Sequence, residues 1–157
     1  MIVVADTTPL NYLILIGHIN VLGPIYSHVI IPPAVQDELL SSFAPAAVRS
    51  WISNPPRWLE IRTPGRMAAS LHPKLDEGER EAISIAHEGG EDSLLLIDDL
   101  LGRQEATRLG LNIIGTLGVL EQAHERGLLD IREAIEQLKT TNFNGTDALY
   151  KRFLDRT

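Results

Sequence analysis

The sequence contains no cysteine. This absence excludes disulfide bonds, thiolate metal sites and cysteine nucleophiles. Any metal bound by the chain must therefore be held by oxygen atoms or imidazole rings.

Long apolar segments are also lacking. No apolar run approaches the roughly 20 residues that a membrane-spanning helix needs, and residues 1–6 have neither the basic region nor the apolar length of a signal peptide. Hydrophobic residues make up 44% of the chain and charged residues 22%, as in ordinary globular proteins. We therefore expect a soluble cytoplasmic protein, and the length predicts a single domain over residues 1–157.

Positive charge is scarce, since 14 Lys and Arg residues face 21 Asp and Glu residues and the net charge is −7. Nucleic-acid binding normally depends on cationic side chains that displace counterions, so the overall charge does not attract phosphate. Basic residues are denser between positions 49 and 80, where they could compensate locally or form a solvated surface. They are Arg49, Arg57, Arg62, Arg66, Lys74 and Arg80.

Short apolar strands alternate with helical patterns along the chain. The predicted strands are Ile2–Ala5, Val29–Ile31, Leu94–Ile97 and Asn112–Ile114. Helices are predicted after Asp6 and Pro33, from Asp76 to Gly89, over 103–109, from Thr116 to Gly127, and over roughly 130–139 and 146–155. The proline-rich stretch 42–75 has no detailed assignment, although Trp51 and Trp58 are expected to anchor packing there. The alternation predicts an α/β fold, a three-layer α/β/α sandwich with a mainly parallel central sheet.

Acidic residues follow two of the predicted strands. Asp6 comes after the first strand, and Asp98 and Asp99 come after the third. Because ligands of open parallel sheets bind outside the carboxyl ends of the strands, we expect these acids to lie close together at a site. Glu38 and Glu81 lie in predicted helices that could project over the same edge.

A cluster of carboxylates is unfavourable unless a cation neutralises it. Oxygen ligands favour Mg²⁺ or Mn²⁺, which activate water and neutralise a leaving oxygen in phosphodiester hydrolysis. The candidate catalytic and metal-binding residues of such a nuclease are Asp6, Glu38, Glu81, Asp98 and Asp99.

Structural roles compete with this interpretation at each acid. Asp6 could cap the first helix, and Glu38 could be an exposed helical carboxylate. Either Asp98 or Asp99 could cap the next helix while the other binds metal, and the sequence leaves both assignments open.

A capping box explains one acid near the start of the helix that follows Asp76. Asp76 and Glu79 have the spacing of an N-cap residue and its N3 partner. This spacing favours Glu81 over Glu79 as the functional acid of that helix.

These motifs together resemble the PIN-domain family, in particular the compact prokaryotic group that includes VapC-type toxins and a similar family of uncharacterised PIN-like proteins. The resemblance covers about three-quarters of the chain, in the expected order. Its motifs are VADTTPL at 4–10, PPAVQDEL at 32–39, GEREAI at 78–83, LIDD at 96–99 through Arg103, and GTLGVL at 115–120.

The resemblance implies a parallel-sheet fold with an acidic pocket for Mg²⁺ or Mn²⁺. It also implies a ribonuclease activity, often that of the toxin in a toxin–antitoxin pair, with a homodimeric assembly and a small antitoxin protein as partner. By position, Asp6 matches the first family acid, Glu38 the second, Glu81 the third, and Asp98 or Asp99 the fourth. Thr7 or Thr8 matches the hydroxyl that supports the first acid.

The chain departs from the toxin pattern at two positions. Glu81 replaces the more usual Asp, and Ile97 stands where many toxins have Thr before the acid pair. A non-catalytic PIN-like module that binds a protein through a remnant acidic site is the main alternative. Haloacid dehalogenase-type phosphatases and phospho-receiver domains fit less well, because position 8 is Thr and the acid pair comes late in the chain.

Overall fold

A computed structural model describes residues 1–157 and contains one five-stranded sheet. The strands are Ile2–Ala5 (β1), Val29–Ile31 (β2), Leu59–Ile61 (β3), Ser93–Leu96 (β4) and Asn112–Ile114 (β5). They lie in the order β3-β2-β1-β4-β5, and every neighbouring pair is parallel. The predicted parallel sheet is therefore confirmed.

Nine α-helices cover the two faces of this sheet. They are Thr7–Leu15 (α1), Leu22–Tyr26 (α2), Pro33–Leu40 (α3), Ala46–Ser53 (α4), Glu77–Glu88 (α5), Leu100–Arg108 (α6), Thr116–Glu125 (α7), Ile131–Lys139 (α8) and Asp147–Asp155 (α9). None of them combines the length and apolar composition that a membrane span requires.

The central strands are buried on both faces. Val3 and Ala5 of β1 belong to a core of 24 residues, whereas Val4 between them belongs to a second core of 11 residues. The larger core is shared with α1 to α4 and α7 to α9, and the smaller one with α5 and α6. Side chains alternate across a strand, so helices on both sides explain why β1 and β4 are almost uninterrupted apolar runs.

The proline-rich stretch contains two elements that the sequence did not predict, α4 and β3. The β3 strand lies at the edge of the sheet, and none of its three residues is fully buried. It therefore lacks the apolar pattern of the inner strands. Trp51 and Trp58 pack against each other with ring centroids 5.9 Å apart, which confirms their expected role as packing residues.

The bounds of β4 and α6, the elements on either side of Asp98 and Asp99, differ from the predicted bounds. The fourth strand begins and ends one residue earlier than predicted, although the Ile97 N–H still donates to the Ile114 carbonyl oxygen at 2.9 Å. The α6 helix begins at Leu100 rather than Arg103 because the Asp99 carboxylate accepts a hydrogen bond from the Gly102 N–H at 2.9 Å.

The order of the strands reverses between β1 and β4. The chain runs from β1 to β2 and β3 on one side, and then returns to β4 on the other side of β1. The Asp6 N–H donates to the Leu96 carbonyl oxygen at 2.9 Å, so the ends of the two strands are tied together. The residues that follow β1 and β4 thus lie at the switch point where open α/β sheets bind ligands.

Candidate functional site

Asp6 lies at this switch point with only 4% of its surface exposed. It occupies the N-cap position of α1, but its side chain makes no capping hydrogen bond. The carboxylate is therefore not used to cap the helix, which was the structural alternative for this residue.

Burial and neighbouring acids disfavour the charged form of Asp6. Burial is the largest cause, and together with negative charges nearby it raises the pKa of Asp6 from 3.8 to about 7, against an opposing contribution from the Thr7 backbone N–H. The acids that raise it are Asp76, Glu38 and Asp98. Three of the five predicted site acids, Asp6, Glu38 and Asp98, are thus electrostatic neighbours.

Glu38 reaches the site from α3. Burial and the charge of Asp76 raise the pKa of Glu38, while the nearby Thr7 hydroxyl lowers it. That hydroxyl is buried and makes no well-formed hydrogen bond. Gly78 of α5 lies against the carboxylate, and a side chain at this position would collide with Glu38 Oε1.

The acid pair after β4 has two different roles. Asp99 is exposed and caps α6, as described above. Asp98 accepts hydrogen bonds from the Thr116 backbone N–H at 2.8 Å and from the Thr116 hydroxyl at 2.6 Å. Burial raises the pKa of Asp98, although Thr116 and the Arg103 guanidinium oppose that shift. Asp98 is thus a neighbour of Asp6, whereas Asp99 is a neighbour of Glu79.

Two acids of α5 face different neighbours. Glu79 is buried, and burial together with Asp76, Asp99 and Asp6 raises its pKa well above the usual range of a glutamate. The Glu81 carboxylate is instead near the start of α3, where it accepts a hydrogen bond from the Ala34 N–H at 3.3 Å. Glu81 is not among the acids that shift the pKa of Asp6, so its role as the third site acid stays a prediction.

Sequence analysis did not select Glu79 or Asp76 as site acids. Their capping box is confirmed, with the Glu79 N–H donating to Asp76 Oδ1 at 2.8 Å. The sequence also contained an indication that Glu79 is on the buried face of α5, because Glu79 lies four and seven residues before the buried Ile83 and Ala86. This spacing places all three on one face of a helix. A capping residue on the buried face can serve the helix and a site together.

The cluster has the ligand chemistry of a divalent-cation site without a preformed coordination shell. Glu79 Oε2 is buried and has no hydrogen-bond partner. Gly102 leaves room beside it, since a Cβ there would lie 2.9 Å from this oxygen. No three Asp, Glu or His side chains are already arranged around a common metal position. Mg²⁺ retains several waters and often uses only one or two carboxylates, so the donor set fits such an ion.

Three of the six basic residues between positions 49 and 80 are engaged in internal contacts. Arg49 donates to the carbonyl oxygens of Ser42 and Ala44, and Arg62 pairs with Glu60 at 2.6 Å. Arg80 also donates to a backbone carbonyl oxygen. These three arginines therefore stabilise their own segment.

Comparison with known proteins assigns the family. The family model DUF3368, described as a PIN domain, matches residues 2–157. The fold is thus of the nuclease type, and the chain belongs to the PIN-domain family, whose members are usually nucleases that use divalent metals. Searches of curated proteins and of solved structures found no match.

Because the pKa of Asp6 is raised, we expect the stability of the metal-free protein to fall as the pH rises. Its folded-state pKa is about 7 against 3.8, so the folded state binds more protons between these values and loses stability as the pH increases through them. We expect Asp6→Asn to raise the free energy of unfolding at pH 8, in EDTA, by on the order of 4 kcal/mol. The same substitution should have little effect at pH 3.5.

Urea unfolding at several pH values measures this effect. Asp37→Asn is the matched control, because Asp37 is an exposed acid on α3. Equal effects of the two substitutions, or a stability that rises between pH 4 and 7 because of Asp6, would contradict the burial of an ionisable carboxylate at this position.

Proposed function

We propose that this chain is a metal-dependent ribonuclease that hydrolyses phosphodiester bonds in RNA. The observation that carries the proposal is the buried Asp6 carboxylate, which lies among other acids at the switch point of the sheet. A carboxylate in this position lowers the stability of the charged protein unless a cation accompanies it. Membership of the PIN-domain family supports the same chemistry.

The residues proposed to hold Mg²⁺ or Mn²⁺ are acidic side chains at the carboxyl edge of the sheet. Asp6, Glu38 and Asp98 form the centre, Asp99 lies at its rim, and α5 supplies the third family acid, either Glu81 or Glu79. When bound, such a cation supplies Lewis-acid stabilisation of the phosphate charge and lowers the pKa of water.

The protein's own contribution is to position these acids. Thr116 holds both oxygens of Asp98 through its backbone N–H and hydroxyl. Gly78 and Gly102 allow Glu38 and Glu79 to approach the backbone of neighbouring helices. Because Asp6 is buried, interactions with a developing charge are stronger there than in water.

Cleavage of a varied panel of single-stranded RNAs tests the proposal directly. We expect cleavage with Mg²⁺ or Mn²⁺, none in EDTA, and a loss on the order of 10²-fold or more for Asp6→Asn. Asp37→Asn should cleave at the rate of the unsubstituted protein. Cleavage that survives EDTA or Asp6→Asn would contradict the proposed site, and no cleavage with either metal would contradict the activity.

The third acid can be identified by comparing Glu79→Gln with Glu81→Gln. Glu79 is buried next to Asp6, whereas Glu81 contacts the start of α3. We therefore expect Glu79→Gln to weaken Mn²⁺ binding roughly 10- to 100-fold and Glu81→Gln to have a smaller effect. Isothermal titration calorimetry measures both affinities. The reverse order would assign the site to Glu81, as the family motif implies.

A toxin role extends the same proposal. The resemblance to VapC-type toxins supports it, and it implies a homodimer whose activity a small antitoxin protein blocks. Growth arrest on induced expression, relieved by a small protein encoded immediately upstream, is the expected result. Light scattering of the purified chain should give the mass of a dimer. Normal growth at confirmed expression would argue against a toxin.

A non-catalytic binding module is the second candidate. The observation that favours it is the lack of three acids already arranged around one metal position. Such a module would bind Mn²⁺ weakly or not at all and would leave RNA intact. The calorimetry and cleavage measurements above therefore distinguish the two candidates.

A further inference from the structure

A cavity of about 750 Å³ lies directly beside the acidic cluster. Asp98 and Asp99 form part of its wall, and the other walls come from α1, α6, β5, α7, α9 and the loop before α9. Sites for small ligands commonly measure about 300–1,000 Å³, so one nucleotide can be accommodated. A group bound in this cavity would be adjacent to the acids proposed to cut the phosphodiester bond.

Aromatic side chains from three separate segments line the cavity. Tyr12 and Phe143 meet edge to face with ring centroids 5.1 Å apart. The Tyr12 hydroxyl donates to Asn142 Oδ1 at 2.8 Å, which fixes the orientation of its ring. Phe153 of α9 lines another part of the wall, with the Arg156 guanidinium 4.5 Å from the centre of its ring. Aromatic rings next to a phosphate-processing site are suited to stacking against unpaired bases.

Three arginines line the cavity, and Arg152 is the one that makes no hydrogen bond to the protein. Arg156 forms two hydrogen bonds to Glu121, at 2.9 and 3.0 Å, and Arg103 donates to the Ile97 carbonyl oxygen at 2.8 Å. Arg152 is exposed, makes no ion pair, and lies 5.9 Å from the centre of the Phe153 ring. An anion entering the cavity would therefore meet Arg152 as its free partner.

We propose that this cavity binds one nucleotide of a single-stranded nucleic acid, with its base against the aromatic wall and its phosphate facing Arg152. The inference rests on the proposed nuclease function, because it places this nucleotide next to the bond to be cut. It makes the cavity a specificity site for unpaired substrate, since a base held in a duplex stack is not free to enter a side pocket. The local cation also explains how a chain with net charge −7 holds a phosphate.

Binding of a fluorescein-labelled 12-nucleotide single-stranded RNA, measured by anisotropy in EDTA, tests this inference without cleavage. We expect Arg152→Gln to weaken binding and to reduce the slope of log affinity against log salt by about 0.7, as for one lost phosphate contact with a single strand. Phe153→Leu should weaken binding about fivefold or more at an unchanged salt slope. The same RNA in a duplex should bind more weakly and respond little to either substitution.

Lys151→Gln is the matched control. Lys151 is the neighbouring exposed cation on α9, but it pairs with Asp155 at 2.8 Å and does not line the cavity. It should leave the affinity and the salt slope unchanged. Unfolding midpoints of all three variants exclude a general loss of structure, and Arg152→Gln changes only an exposed side chain.

Three results would overturn the inference. The first is equal binding by Arg152→Gln, Phe153→Leu and the unsubstituted protein while metal-dependent cleavage persists, which leaves the proposed nuclease function intact. The second is an equal loss of affinity in Arg152→Gln and Lys151→Gln, which indicates diffuse charge attraction. The third is unchanged RNA binding with a change from dimer to monomer, which makes the cavity a surface between protein copies. Absence of cleavage with either metal while the expected binding results hold would, by contrast, contradict the proposed nuclease activity alone.

Discussion

The parallel pairing of β1 with β4 is the contact on which the site depends. It aligns Ala5 with Leu96 and is followed by the hydrogen bond from the Asp6 N–H to the Leu96 carbonyl oxygen. Helices cover both faces of these strands, so the first polar residue after β1 is still inside the protein. Asp6 is thereby held at the opening of the sheet in an environment that disfavours its charge.

At Asp6, the arrangement of acids that would favour metal binding lowers the stability of the folded chain. Buried acids that raise one another's pKa cost stability at neutral pH. The same arrangement provides oxygen ligands for a divalent cation, whose binding to the folded state would restore that stability. Glu79 also has two roles, because it belongs to the capping box of its helix and has a buried oxygen without a hydrogen-bond partner.

Charge in this protein is organised locally rather than globally. The excess of acids gives no long-range attraction to nucleic acid. Half of the six basic residues that the sequence drew attention to are tied to their own segment, whereas Arg152 approaches the acidic edge from the C-terminal helix. One arginine in an aromatic cavity can select a ligand by its shape and by the position of its charge. The overall charge of the protein cannot make that selection.

The sequence by itself determined the alternation of strands and helices, because apolar runs and helical spacing are local properties. It therefore predicted β1, β2 and β5 correctly and located Asp6 and Asp98 at strand ends. It missed β3, since an edge strand that is only partly buried carries little apolar pattern.

Only the tertiary structure decided which acids are neighbours. The start of α6 decided that Asp99 rather than Asp98 caps that helix, and the contrast between Glu79 and Glu81 depended on which face of α5 packs against the sheet. The position of Arg152 beside the acids depended on how α9 packs against the rest of the protein. Residues four or a hundred positions apart become neighbours through helix rotation and long-range packing, which the local sequence pattern does not encode.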